Sequence, residues 1–396
     1  MKKYLILFFI SIFIYSIHFA VTKHGIYGDG NGYYSLAHTL FFQRKLNFKP
    51  IYQHLSHFQG AHYVFSRVFW DTSNTNTYVN NCPWLIGTAL FWIPAIFLTS
   101  IVNLILYSHT YMFHPIYEAV CGTIGILLVL FGLRLLELFL KKYFDSKTSS
   151  ITIIALFTAS QLFYYSTFEP ALSHQPAYLL VCLFIFLYQR GYKEVKKSLC
   201  MGLIFGLLFI TRIGDVVLLV PTLLIVFYSW IKERRLVNLG LFLIALLIAV
   251  TPQLILQYFM YGNPFQNPYL QGEKGTFTFI SISSLLIHLF SPAGGFLLWS
   301  PIFIPSLAAF IFMRKKVKYR KIATLFLITI ITYIVFISIW TGIIPAGFGN
   351  RFFISAVPFF SFGLAYVISI FNKKAFIYLS ICFIWNSLLL TYFLIQ

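Results

Sequence analysis

Charge is scarce in this chain, and negative charge scarcer still. Of 396 residues only 10 are Asp or Glu, against 29 Lys or Arg, and charged residues make up 10% of the total, where soluble domains carry about 25%. With 59% hydrophobic residues and a mean hydropathy of +0.81 there is too little polar side chain to cover a water-facing surface, so lipid has to be the solvent for most of the molecule. Cysteine is also short. Four of the five, Cys121, Cys182, Cys200 and Cys382, fall in or beside apolar runs, and Cys82 stands in a loop without a CxxC partner. That removes a disulfide framework and a zinc site. No internal repeat or low-complexity tract is present, which weakens a secondary transporter built on repeated halves.

Present instead are apolar stretches of about twenty residues, recurring from Leu5 to Ile395 at the length a hydrocarbon core demands. They make residues 1–396 a single all-α polytopic membrane domain with no separate soluble domain. Met1-Lys2-Lys3 before Tyr4 to Ala20 resembles a signal peptide, but no small-residue cleavage site follows before His24, so it is expected to stay as a first helix. The net charge of +19 is not one basic stripe. Basic clusters alternate with spans, which positive-inside sorting explains, and no nucleic-acid partner is expected.

Six clusters mark cytoplasmic loops: Lys2-Lys3, Lys141-Lys142 with Lys147, Arg190 to Lys197, Lys232 to Arg235, Arg314 to Lys321, and Lys373-Lys374. An even number of crossings must separate each from the next. Three apolar stretches lie between Lys3 and Lys141, near 4–22, 84–108 and 118–140, so one must not cross. The stretch 84–108 carries Pro94 and follows some sixty polar residues, so it is expected to lie in the interface or to re-enter. Residues 23–116 then form a large, helical first extracytoplasmic loop. Further spans near 150–168, 172–189, 198–212, 215–231, 236–259, 294–313, 322–341, 352–371 and 375–395 bring the total to about 11 transmembrane helices, with the N-terminus cytoplasmic. This threading puts Asp29, Asp71, Glu118, Glu169, Asp215 and Glu273 all outside, and leaves the cytoplasmic loops short and basic.

The first external loop opens with Gly28-Asp29-Gly30-Asn31-Gly32-Tyr33-Tyr34. Glycines around a carboxylate permit close approach of backbone and ligand. Asp29 could take a proton from a hydroxyl or help hold a divalent cation, Mg²⁺ or Mn²⁺; equally, it could cap a helix over Tyr33 to Phe42. Asp71, in Trp70-Asp71-Thr72-Ser73-Asn74, is a second loop carboxylate or a solvated turn. His54, His57 and His62 lack a carboxylate at ligand spacing and make a weak metal candidate.

Asp29 in an aromatic, Gly-containing segment just after the first helix resembles the first external loop of the GT-C superfamily, the membrane glycosyltransferases that draw sugars from polyprenyl-phosphate donors. Further segments follow in the same order: Asn81-Cys82-Pro83-Trp84-Leu85-Ile86-Gly87 to Trp92-Ile93-Pro94, Ser173-His174, Thr211-Arg212, Tyr261-Gly262-Asn263-Pro264-Phe265, and Ser291-Pro292-Ala293-Gly294-Gly295 to Ser300-Pro301. Trp340 with Gly347-Phe348-Gly349-Asn350-Arg351-Phe352 is similar to the Trp…Gly-x-Arg-Phe signature of bacterial members in the mannosyltransferase and aminoarabinose-transferase group. Many relatives carry two adjacent acidic residues where Asp29 is followed by Gly30-Asn31, and oligosaccharyltransferases carry a large C-terminal soluble domain that this chain lacks.

The resemblance implies an inverting transferase at the outer face of a bacterial cytoplasmic membrane, with a polyprenyl-phosphate-linked sugar as donor and a cell-envelope glycan, lipid or protein as acceptor. It implies Asp29 and Asp71 as catalytic groups and Arg351, Arg212 and His174 as the phosphate site. Tyr33, Tyr34 and Trp340 would position acceptor or sugar. The chemistry of the residues is compatible. Arginine offers planar donors to phosphate and stays charged in a poor dielectric, although Arg212 could equally pair with Asp215 and either arginine could snorkel to the interface. A lipid-linked glycan polymerase or ligase is the rival enzyme, and it usually places its large loop and key arginines in the second half. A lipid or glycan transporter is the non-enzymatic rival, and it would line its span centres with polar residues.

Overall fold

A computed structural model describes residues 2–43, 46–58, 82–107, 111–266, 277, 279, 281–340 and 347–395. The protein is an all-α membrane protein. Its helices are α1 (Lys2–Thr22), α2 (Gly30–Phe42), α3 (Lys49–Leu55), α4 (Gly87–Tyr107), α5 (Ile116–Leu140), α6 (Ser146–Thr158), α7 (Leu162–Tyr165), α8 (His174–Gln189), α9 (Val195–Thr211), α10 (Val220–Lys232), α11 (Leu236–Tyr261), α12 (Ile282–Phe290), α13 (Phe296–Trp299), α14 (Phe303–Met313), α15 (Val317–Ile339) and α16 (Val357–Ile395), with 3₁₀ turns at Ile213–Leu218 and Arg351–Ala356. Among the described residues there is no strand, only an isolated bridge between Phe277 and Trp340. Six helical runs are long and apolar enough to cross a bilayer: α1, α4, α5, α11, α15 and the run Arg351–Ile395.

That last run is two helices. Asn372 has φ 41° and ψ −106°, outside any helical conformation, so the chain reverses there. Phe393, near its end, packs edge-on against Phe348, which lies just before its start, at a ring separation of 5.8 Å.

Contacts between loops sort the charges to two ends of the bundle. Lys3 and Lys141 both reach Glu137 at 2.8 Å. Lys142 donates to the carbonyl of Gln189 and Lys318 to that of Tyr143, while Lys193 and Arg235 share Glu233. Five of the six basic clusters are thereby stitched together, and the sixth flanks the Asn372 reversal. Asp29, Glu118, Glu169 and Asp215 lie at the other end. α1 and α5 run antiparallel between the two, since Lys3 meets Glu137 while Gly25 N–H donates to Glu118 Oε2 at 2.9 Å.

α4 does not follow that pattern. Its start is held where Ile86 N–H donates to Gln253 Oε1 at 2.7 Å and Gly87 fits against Ile210 and Thr211. Its last turns are held where Asn103 donates to the Tyr117 hydroxyl at 3.3 Å. Both partners belong to the acidic end. α2, α3 and α4 together surround a second apolar cluster that includes Leu36, Ile51, Leu55, Trp92, Ile96 and Tyr117. Removing one of its fully buried aromatics, Trp92, would cost about 3–5 kcal/mol.

Candidate functional site

Asp29 occupies the N-cap position of α2, yet its side chain makes no capping hydrogen bond. Arg351 Nη2 donates to Asp29 Oδ2 at 2.5 Å instead, joining residues 322 apart in sequence. Three glycines make this approach possible, each differently. Gly28 has φ +51°, the left-handed region, and a β-carbon there would stand 3.7 Å from the Arg351 guanidinium. A β-carbon on Gly30 would come within 2.3 Å of the Ala171 carbonyl, and one on Gly32 within 2.0 Å of the Trp84 ring. Gly30 and Gly32 thus admit protein, while Gly28 borders the ion pair.

On the other side of the pair, Gly347, Gly349 and Asn350 all have left-handed φ, between 58° and 67°, which turns the chain sharply into the 3₁₀ turn that begins at Arg351. Asn350 is buried, and its carboxamide donates to the carbonyl of His288 at 3.2 Å, anchoring the turn to α12.

Arg212 stands where α9 ends, in an extended conformation. Its Nε donates to Asp215 Oδ2 at 2.9 Å, and its Nη1 reaches Ser173 Oγ at 3.2 Å and His174 Nε2 at 3.3 Å. The Tyr333 hydroxyl lies 2.8 Å from both Asp215 Oδ1 and the Phe352 carbonyl, with one proton to give. The pairing with Asp215 left open by the sequence is therefore made, and it is buried. The two arginines are neighbours across one ring, since the Phe352 centroid lies 5.8 Å from the Arg212 guanidinium carbon and 5.9 Å from that of Arg351.

Two donors facing this region have no partner. Arginine only donates, so His174 Nε2 accepts from Arg212 and its N–H sits on Nδ1, which is buried and unpaired. Arg351 Nε is likewise buried without a partner. Unmade donors of this kind cost about 1–3 kcal/mol each, which an anionic ligand oxygen would recover.

Glu169 is a further carboxylate at the site, and no sequence motif had singled it out. It accepts from the Tyr164 hydroxyl at 3.0 Å. Burial raises its carboxyl above the usual range, an effect opposed by the Arg351 charge and the Tyr164 hydroxyl and reinforced by Asp29. The only sequence signal for it was its place in an external turn.

The remaining candidates divide. Tyr33 interacts electrostatically with Arg212 and belongs to the site. Trp340 packs beside Gly214, on the turn that carries Asp215, with its ring 3.3 Å from a β-carbon built there. Tyr34, 2% exposed, is buried in the apolar cluster under α2, which also takes in Tyr33. His54 stacks on Phe113 and His57 binds the carbonyl of Gln53. Asp71, Glu273 and His62 lie outside the described residues. Among the described residues no group of three His, Cys, Asp or Glu could hold a metal, and Arg351 takes one of the two Asp29 oxygens, Oδ2.

No family model, no curated protein and no solved structure matches this chain.

Proposed function

We propose that the protein is an inverting glycosyltransferase that moves a sugar from a polyprenyl-phosphate donor to an acceptor at the extracytoplasmic face of a bacterial cytoplasmic membrane, through about eleven spans and with α4 lying in the interface. The observation that carries this reading is the meeting of Asp29 and Arg351, beside Arg212 and His174, at the bundle end opposite the stitched basic loops. Positive-inside sorting assigns the basic end to the cytoplasm and this cluster to the outer leaflet. A lipid phosphate sits at that depth, with its tail in the hydrocarbon.

Asp29 is 40% exposed while Arg351 is 20% exposed, so the carboxylate meets an incoming acceptor and the guanidinium lies behind it. Asp29 takes the proton of the acceptor hydroxyl, whose oxygen attacks the anomeric carbon. The bond from that carbon to the phosphate oxygen breaks, and its electron pair leaves with the phosphate. Arg351, Arg212 and the Nδ1–H of His174 bind the growing negative charge in a poorly solvated site. Attack from the face opposite the leaving group inverts the anomeric centre. Glu169 tunes the Arg351 side of the pair.

The test is transfer by the purified protein in nanodiscs from a panel of polyprenyl-phosphate sugars, with and without EDTA. Wild-type protein consumes one of the donors, EDTA leaves the rate unchanged, and Asp29→Asn abolishes transfer while inserting normally. Full transfer by Asp29→Asn would overturn the mechanism.

A further inference from the structure

The turn that aims Asp29 at Arg351 is held from behind by three polar residues that the mechanism does not use. Asn31 donates from Nδ2 to the carbonyl of Gly28, the residue before Asp29, at 3.2 Å. A carboxamide nitrogen only donates and its oxygen only accepts. That bond therefore fixes Asn31 Oδ1 toward His24 Nε2, which lies 3.1 Å away and must carry a proton. The His24 ring is 2% exposed and stacked on Phe58, with centroids 4.4 Å apart and planes 8° apart.

Its other nitrogen, Nδ1, stands 2.8 Å from Glu118 Oε2 as an ion-pair contact, without the alignment of a hydrogen bond. The same carboxylate oxygen accepts from Gly25 N–H at 2.9 Å, and Glu118 is 3% exposed. The Tyr15 hydroxyl bonds the Gly25 carbonyl and the Tyr27 hydroxyl the His24 carbonyl. A chain of contacts thus runs from the first turn of α5 through His24 and Asn31 to the Gly28 carbonyl. Asp29 itself has no side-chain hydrogen bond except the one to Arg351.

We infer that His24 is a positioning residue: anchored by Glu118, it orients the Asn31 carboxamide, which holds the Gly28 turn and so sets the distance from Asp29 to Arg351. The inference rests on the reading of Asp29 and Arg351 as the reacting pair. Three variants test it in nanodiscs. His24→Phe keeps the stack on Phe58 and loses both ring contacts, Asn31→Leu keeps the branched shape and loses the bridge, and His24→Gln restores a donor facing Asn31.

His24→Phe and Asn31→Leu should each slow sugar transfer at least about tenfold, the order expected when a reacting group is misplaced, while the Kd for a polyprenyl monophosphate shifts less than about twofold. The double variant should lose no more than the worse single variant, because the two residues act in series, and His24→Gln should recover most of the rate. Losses that multiply in the double variant, or that fall equally on binding and turnover, overturn the inference. Asn31→Leu leaves the buried His24–Glu118 pair intact and carries the test if His24→Phe does not fold.

A second readout needs no turnover. The guanidinium proton resonance of Arg351 bonded to Asp29, assigned by its loss in Arg351→Lys and displaced in Asp29→Asn, should also be displaced in His24→Phe and Asn31→Leu. If it moves while wild-type protein transfers no sugar, the positioning role holds and the transferase reading fails. If it does not move, the positioning role fails whatever the turnover.

Discussion

Replacing Arg351 by Gln separates a structural role from a chemical one, because the two predict losses of different size. In the resting protein the visible partner of Arg351 is Asp29, whose side chain is 40% exposed. Ion pairs this open to solvent contribute about 0.2–1 kcal/mol, and Asp29 can turn to water when the guanidinium is gone. Thermal unfolding of Arg351→Gln in detergent should therefore stay within about 1 kcal/mol of wild type. In the transfer reaction the same guanidinium faces the departing phosphate with an Nε that no described residue satisfies. Removing one preorganised donor of that kind costs about 2.7–4 kcal/mol of transition-state stabilisation, a hundred- to thousandfold in kcat. The assay is single-turnover transfer of radiolabelled sugar from the polyprenyl-phosphate donor that wild type consumes, alongside a melting curve on the same preparation. Turnover within about threefold of wild type would refute the reasoning, since a factor of three is only about 0.65 kcal/mol. So would a several-kcal/mol loss of stability that accounts for the lost rate.

Other residues of the site should behave differently. Asp215→Asn leaves Arg212 facing a neutral amide in a site where the carboxylate side chain is 1% exposed, so stability should fall by about 3–5 kcal/mol in thermal unfolding. Gly30→Val should block assembly of the first loop, because a β-carbon would meet the Ala171 carbonyl at 2.3 Å; protease protection of the loop in proteoliposomes checks this. Glu169 is raised above the ordinary carboxyl value, so between about pH 4.3 and its folded value the native state holds a proton that the unfolded chain does not. Its contribution to stability accordingly grows as pH falls through that window, and Glu169→Gln should flatten that slope in melting curves. A cysteine placed at Tyr111, beyond the end of α4, should react with an impermeant maleimide from the same side as one at Lys23 and from the opposite side to one at Lys142.

Much of the architecture was legible because it follows from local composition. Helix bounds agree with the apolar stretches within a few residues over α1, α5, α8, α9 and α11. They depart at the stretch 294–313, which breaks at Ser300-Pro301, whereas the fold-back at Asn372 falls between the stretches 352–371 and 375–395. Asp29, Arg351, Arg212 and His174, far apart in sequence, stand close together in the structure. Glu169, Glu118 and His24 were not legible as site residues, since each acts through a partner far away in the chain; His24 and Glu118, for example, are 94 residues apart. Tyr34 was legible only as an aromatic beside Asp29. In the structure it is buried with its neighbour Tyr33 in the cluster under α2.

By itself the sequence determined that lipid is the solvent, that the basic loops share one side, and that Asp29, Glu118, Glu169 and Asp215 fall on the other. These are consequences of transfer free energy and of charge sorting, which act on each segment separately and need no partner. Only the tertiary structure decided what each charge does. Asp29 sits at a helix cap in sequence, and whether it caps or reaches Arg351 depends on a turn 322 residues away. α4 has the length and apolarity of a spanning helix, and only the fold shows that its start is held by Gln253 of α11 and its last turns by Tyr117 of α5. Electrostatics and packing at such contacts fall off within a few ångströms, so they exist only once the fold has brought the residues together.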